Sequence, residues 1–99
     1  MKQLSFSVIT PSYNQAKFLP QCLQSVSMQT IPALEHFVVD PGSDDGSRAI
    51  AKDFGGLELI FEEDKGQSDA INKGFSRAKG DILCWLNSDD YFPEDSVFE

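Results

Sequence analysis

Ninety-nine residues, 40% of them apolar, suffice for one small domain with a single core. Sixteen acidic against 8 basic residues leave a formal charge of −8, without the clustered Lys and Arg that nucleic-acid phosphates require, so nucleic acid is excluded as a partner. The N-terminal MKQLSFSVITP holds only a short, interrupted apolar run, too short for a signal h-region or a membrane span, and a cytoplasmic location is expected.

Residues 5–10 (SFSVIT) form a β-branched and aromatic run stopped by Pro11, which predicts a strand that ends in a turn. Leu19, Cys22, Leu23 and Val26 then recur at i, i+3, i+4 and i+7, the period of a helix, with Pro20 in its first turn where a missing N–H costs little. Residues 36–40 (HFVVD) are the second strand. A Gly/Asp/Ser turn after it can cap a short helix over 47–54, with Ile50 and Phe54 facing inward.

Gly55 and Gly56 stop that helix, and 57–61 (LELIF) read as a third strand. The third helix, 68–79, carries Ala70, Ile71, Gly74, Phe75 and Ala78 on one face, and its small residues let it lie close against a sheet. Gly80 ends it. The run 81–86 (DILCWL) is almost unbroken apolar sequence, as expected of a central strand buried on both faces, and Pro93 can open a fourth helix. Cys22 and Cys84 lack C-x-x-C spacing and read as small core residues. His36, the single histidine, stands at the start of a strand and reads as structural; no Ser/His/Asp or Cys/His arrangement is available.

The alternation βαβαβαβ with short connections predicts an α/β fold: an open parallel sheet flanked by helices, doubly wound, with right-handed crossovers. In such a sheet ligands sit outside the carboxyl ends of the strands. Four tips, TPSYN (10–14), DPGSDDGS (40–47), EEDKGQ (62–67) and NSDD (87–90), would line that edge. Asp89 and Asp90 suit Mg²⁺ or Mn²⁺, ions that take one or two protein carboxylates and complete their shell with substrate phosphates; a solvated loop with a helix cap is the other reading. Asp40 could accept a hydrogen bond from the imide N–H of a base, or could stabilise its own Gly-rich turn. Asp44 and Asp45 read as acids at a helix N-terminus, because the calcium-loop and dinucleotide registers both fail. Lys65 and Lys73 are the nearest cations, and Tyr13 is free to stack on a base.

Together SVITPSYNQAKFLPQCLQSVSMQT, HFVVDPGSDDGS and DKGQSDAINKGFSRAKGDILCWLNSDDYF resemble the N-terminal, nucleotide-binding half of family 2 glycosyltransferases with the GT-A fold, over about residues 5 to 93. The resemblance implies an inverting, metal-dependent transferase. It would move a sugar from a nucleoside diphosphate donor, usually a UDP-sugar, to a saccharide or lipid-linked acceptor hydroxyl in polysaccharide or glycolipid synthesis. By matching positions Pro11 and Tyr13 would flank the base, Asp40 would bond the uracil edge, and Asp69 would lie near base or diphosphate. Asp89 would reach the nucleotide, and Asp89 and Asp90 would meet the divalent cation, Mn²⁺ or Mg²⁺. Asn87 stands where many members have the first Asp of the DxD motif, which keeps an oxygen acceptor and loses a charge.

The resemblance further implies that residues 1–99 are one partial domain. The general base and the acceptor half belong beyond Glu99, and the chain alone is expected not to turn over. A longer protein could sit peripherally on the inner face of the membrane, and the uncovered sheet edge of a truncated chain favours self-association. The rival readings are a non-catalytic nucleotide-binding or interaction domain on the same fold, and a phosphoacceptor receiver domain. The receiver would need an acid pair after the first strand, where this chain has Pro11, Ser12 and Tyr13.

Overall fold

The computed structural model describes residues 4–98. Strands and helices alternate along them: β1 (Phe6–Pro11), α1 (Leu19–Ser27), β2 (Glu35–Val39), α2 (Ser47–Phe54), β3 (Glu58–Ile60), α3 (Gln67–Arg77) and β4 (Ile82–Trp85). All strand pairs are parallel and the order is β3-β2-β1-β4, the open, helix-flanked sheet the alternation predicts.

Side-chain alternation along the central strands builds a core on each face of the sheet. Ile9, Phe37, Val39 and Ile60 point to one side, where they meet Ala70, Phe75 and Ala78 of α3 and its end. Val8 and Val38 point to the other, where Cys22 and Val26 or Leu19 and Leu23 of α1, with Ala51 of α2, cover them. The small residues of α3 have the effect their spacing foretells. A Cβ added at Gly74 would lie 2.5 Å and 2.7 Å from Cγ1 and Cγ2 of Ile9, so glycine is what lets this helix seat on β1.

Three expectations are corrected. Among the described residues β4 stands at the edge of the sheet and not inside it: it pairs with β1 only, α3 lies over β1 and β2, and Ile82, Leu83 and Trp85 stay exposed, Trp85 by 54%. An unbroken apolar run reports faces that favour cover and says nothing of where the strand stands in the sheet. Phe54 is exposed, because Ser47 and Ala51 are the residues α2 turns inward, with Ile50 packed at the margin. After Pro93 the described chain forms turns instead of a helix. That segment is tied to α1 by Gln29, whose amide donates to the Glu94 carbonyl at 2.7 Å and accepts from the Val97 N–H at 2.8 Å, and Phe98 stacks on Phe6.

His36 lies inside the core, on the face α1 covers, with its Nε2 hydrogen-bonded to the Thr10 hydroxyl at 2.7 Å. Burial alone lowers its pKa to about 4. This agrees with a structural role.

Two predictions test the packing. Gly74→Ala should destabilise the fold by about 1–3 kcal/mol in urea denaturation, because the added methyl pushes α3 off Ile9 by more than alanine's helix preference restores. Because the folded pKa of His36 lies below its unfolded value, its neutral form supports stability above pH ~6.5, and that support is lost as pH falls towards 4, by up to about 3 kcal/mol. Unfolding free energies measured across this window should show the slope in the parent and lack it in His36→Gln.

Candidate functional site

β1 has β2 on one side and β4 on the other, and α1 and α2 lie on the face opposite to α3. The chain therefore parts in two directions at the carboxyl end of β1, the switch point where open sheets leave a crevice. A cleft of about 790 Å³ occupies that place. Pro11, Ser12 and Tyr13 line it from the end of β1, Val39, Pro41 and Gly42 from β2, Glu63, Asp64, Gly66 and Gln67 from the approach to α3, and Asn87, Ser88 and Asp89 from beyond β4. All four strand tips named from the sequence meet there.

The first two tips are joined by hydrogen bonds that span 29 or 30 residues of chain. Asn14 donates its N–H to the Ser43 hydroxyl at 2.8 Å and accepts the Asp44 N–H on its Oδ1 at 3.0 Å. Asp45 accepts the Ala16 N–H on Oδ2 at 2.9 Å, while its Oδ1 takes the N–H and hydroxyl of Ser47 at the start of α2. The Ser47 hydroxyl, then the Ala16 amide, hold the Asp45 carboxyl below its ordinary pKa. Asp45 thus lies just before α2 and not in its first turn, where it accepts the helix's first N–H and also links the two loops. Asn14 adopts φ 53°, a left-handed conformation that asparagine tolerates, and the turn leaves Tyr13 60% exposed beside the cleft.

Asp40 follows β2 and is fully buried. Its Oδ1 accepts the Gly42 and Ser43 N–H groups at 2.9 and 2.7 Å, so it does stabilise its own turn. Its Oδ2 is buried with no partner among the described residues, as is the cleft-lining hydroxyl of Ser12. Both readings of Asp40 therefore have an oxygen to rest on.

Across the cleft, Asp64 accepts the Gly66 N–H on Oδ1 at 3.0 Å, and its Oδ2 is buried without a partner among the described residues. Gly66, at φ 120°, precedes the first turn of α3 and brings that helix N-terminus to the cleft wall. Gln67 donates its side-chain amide to Asn87 Oδ1, which ties α3 to the tip of β4 and occupies that oxygen. Asp69 sits in the first turn of α3, where its Oδ2 accepts the Lys65 N–H at 2.9 Å, and is not among the lining residues. Asp90 also stays outside the lining: it is exposed, and its Oδ1 accepts the Tyr91 N–H.

Pro11, Tyr13 and Asp89 are thus brought together on the cleft wall, with Asp40 between two lining neighbours and Asp69 and Asp90 set back. Lys73 donates to the Glu63 carbonyl, lies 3.9 Å from Glu62 and is not among the lining residues. Among the described residues no Lys or Arg lines the cleft, whereas Glu63, Asp64 and Asp89 do. No group of three or more His, Cys, Asp or Glu among the described residues is assembled to hold a cation unaided. The donors present are nevertheless all oxygen, Asp89 and the unpartnered Asp64 Oδ2, and these fit a hard divalent ion that completes its shell with phosphate. Asp64 and Ser12 escaped sequence reasoning as individuals, although both lie in the tips it marked. Arg48, which reaches Asp40 from the second residue of α2, gave no signal beyond an opposite charge one turn and one helix start away.

Comparison with known proteins agrees with the fold. The sequence profile of Glycosyl transferase family 2 matches residues 7–99, and the chain belongs to that family. Glycosyltransferase AglE of Haloferax volcanii is 40% identical over 90 residues, covering 84% of this chain and 30% of that protein. The mannosyltransferase PcManGT from Pyrobaculum calidifontis, solved in complex with GDP-Man and Mn²⁺, superposes with a TM-score of 0.87 at 28% identity, over 96% of this chain and 30% of that one. S. aureus TarS 1-349 in complex with UDP gives 0.79 at 29% identity, over 95% of this chain and 30% of its own. The chain thus spans about 30% of the length of these relatives. No helix among the described residues is long and apolar enough to cross a membrane.

The inter-loop bonds make a testable claim. Asn14→Ala should cost about 1–2 kcal/mol in urea denaturation, by loss of the Asp44 contact and by strain in a left-handed position, and Asn14→Gly should cost less because only the contact is lost.

Proposed function

We propose that these 99 residues form the donor-nucleotide half of a glycosyltransferase that moves a sugar from a nucleoside diphosphate to an acceptor hydroxyl, with a divalent cation and with inversion at the anomeric carbon. The observation that carries the proposal is the charge of the cleft. Three carboxylates line it and no Lys or Arg among the described residues does, so a diphosphate entering alone would meet like charge. Asp89 and Asp64 would hold a Mn²⁺ or Mg²⁺ ion, whose charge would resolve that conflict.

The GDP-Man and Mn²⁺ of PcManGT and the UDP of TarS support the ligand class. A UDP-sugar is the expected donor. Pro11 and Tyr13 flank the base, with the exposed Tyr13 ring offering a stacking face, and Asp40 Oδ2 accepts an N–H from the base edge. The N-terminus of α3, which Gly66 and Gln67 bring to the cleft wall, sets the positive end of the helix dipole towards the phosphates, while the Gly66 N–H itself is taken by Asp64 Oδ1. When bound, the cation neutralises charge that builds on the departing diphosphate. Asp69 and Asp90 act at a distance in this scheme, Asp69 by bracing the turn before α3 and Asp90 by ordering the segment after β4.

In the same scheme the general base and the acceptor site come from residues other than these, as does the choice among polysaccharide and glycolipid acceptors. The chain alone is expected to bind nucleotide and cation and not to turn over. The open β4 edge is the place where self-association of this chain would occur.

Titration calorimetry with UDP in the presence and absence of Mn²⁺ tests the reading. Binding should require the ion, Asp89→Ala should weaken it by about tenfold or more with the circular dichroism spectrum unchanged, and Asp90→Ala should change it by no more than about threefold. A folded sample that gives no heat beyond dilution would overturn the proposal.

A further inference from the structure

Asp40 is only 1% exposed, and a carboxylate removed from water needs partners for both oxygens. Oδ1 has three, the N–H groups of Gly42 and Ser43 and the Nε–H of Arg48. Oδ2 has none among the described residues, while the chain neighbours on either side, Val39 and Pro41, both line the cleft.

Arg48 grips this one residue at two points, from Nε to Oδ1 at 3.3 Å and from Nη2 to the main-chain carbonyl at 2.9 Å. The guanidinium is held in turn, 4.6 Å from the centroid of the Phe61 ring, which packs with α1 and α2 on the far side of the sheet. Arg48 is 34% exposed and does not line the cleft. It reaches the carboxylate from behind. A planar fork that fixes one side-chain oxygen and the carbonyl of the same residue restricts rotation of the carboxylate plane, which a point charge on a flexible stem does not do.

We infer that Arg48 is a positioning residue: by pinning Oδ1 and the carbonyl of Asp40 it presents Oδ2 as an acceptor to a nucleobase edge that carries an N–H, and so sets the preference for imide or lactam bases such as uracil over cytosine. The inference rests on the nucleotide reading of the cleft proposed above. Cytosine offers an acceptor nitrogen where uracil offers the imide N–H, so a fixed Oδ2 would face a second acceptor in a buried place, and that mismatch supplies the discrimination. An Oδ2 free to rotate away would lose it.

The test is calorimetric titration of the chain and of Arg48→Met and Arg48→Lys with UDP, CDP and pyrophosphate, each with Mn²⁺. Met keeps an apolar stem against Phe61 and has no donor; Lys keeps the charge without the fork. The parent should prefer UDP to CDP by about tenfold or more, Arg48→Met should weaken UDP by about tenfold while CDP and pyrophosphate stay within about twofold, and Arg48→Lys should fall between. An unchanged ratio of UDP to CDP affinity in a folded variant overturns the inference, as does an equal loss of all three ligands, which would make Arg48 a structural residue only. If Arg48→Met does not fold, Arg48→Lys decides by the same ratio. A parent that binds UDP and CDP equally overturns this inference and leaves the nucleotide reading standing. A parent that binds none of the three overturns both.

Discussion

The parallel pairing of β1 with two neighbours at once is the constraint from which the site follows. Pro11 stands opposite Val39 in one register and Ile9 opposite Trp85 in the other, so β1 and β2 end level, β4 ends two residues earlier, and all three leave the sheet at the same end. With α3 on the opposite face to α1 and α2, those three exits diverge and leave a gap that no connection crosses. Gly74 sets how closely α3 can lie on β1, and so how near Gln67 comes to Asn87 across that gap. Packing in the middle of the sheet and polar geometry at its end are thus one problem.

The polar end is not left to the strands alone. Asn14, Ser43 and Asp45 bind two loops that are distant in sequence, and each bond uses a side chain that tolerates turns and a backbone N–H with no helix or sheet partner. That satisfies the loops without drawing on Ser12 Oγ, Asp40 Oδ2 or Asp64 Oδ2, buried side-chain oxygens that have no partner among the described residues. Native folds rarely bury such groups without reason, and here Ser12 and Asp64 line the cleft and Asp40 follows and precedes lining residues in the chain.

Much of this was legible beforehand, because the signals are local. Apolar periodicity marked Leu19, Cys22, Leu23 and Val26, and all four are buried on α1. Gly and Pro punctuation placed the tips, and the tips form the cleft. Other features lay out of reach because they are pairings between distant residues. Nothing in DILCWL distinguishes a central strand from an edge strand whose faces are apolar, and nothing in DPGSDDGSR says that the arginine folds back to the aspartate eight positions earlier. That Asp89 lines the cleft and Asp90 does not was equally hidden, since adjacent carboxylates separate only when the backbone turns one of them to the Tyr91 N–H.

The exposure of Trp85 has a practical side. It is the single tryptophan of the chain, and on β4 about half of its surface is open to water. A half-exposed indole has less room to shift its emission on unfolding than a buried one, so intrinsic fluorescence is a weak gauge of stability for this molecule. The same indole is a sensitive optical reporter of whatever comes to lie against β4, because a dry neighbour would shift its spectrum to the blue.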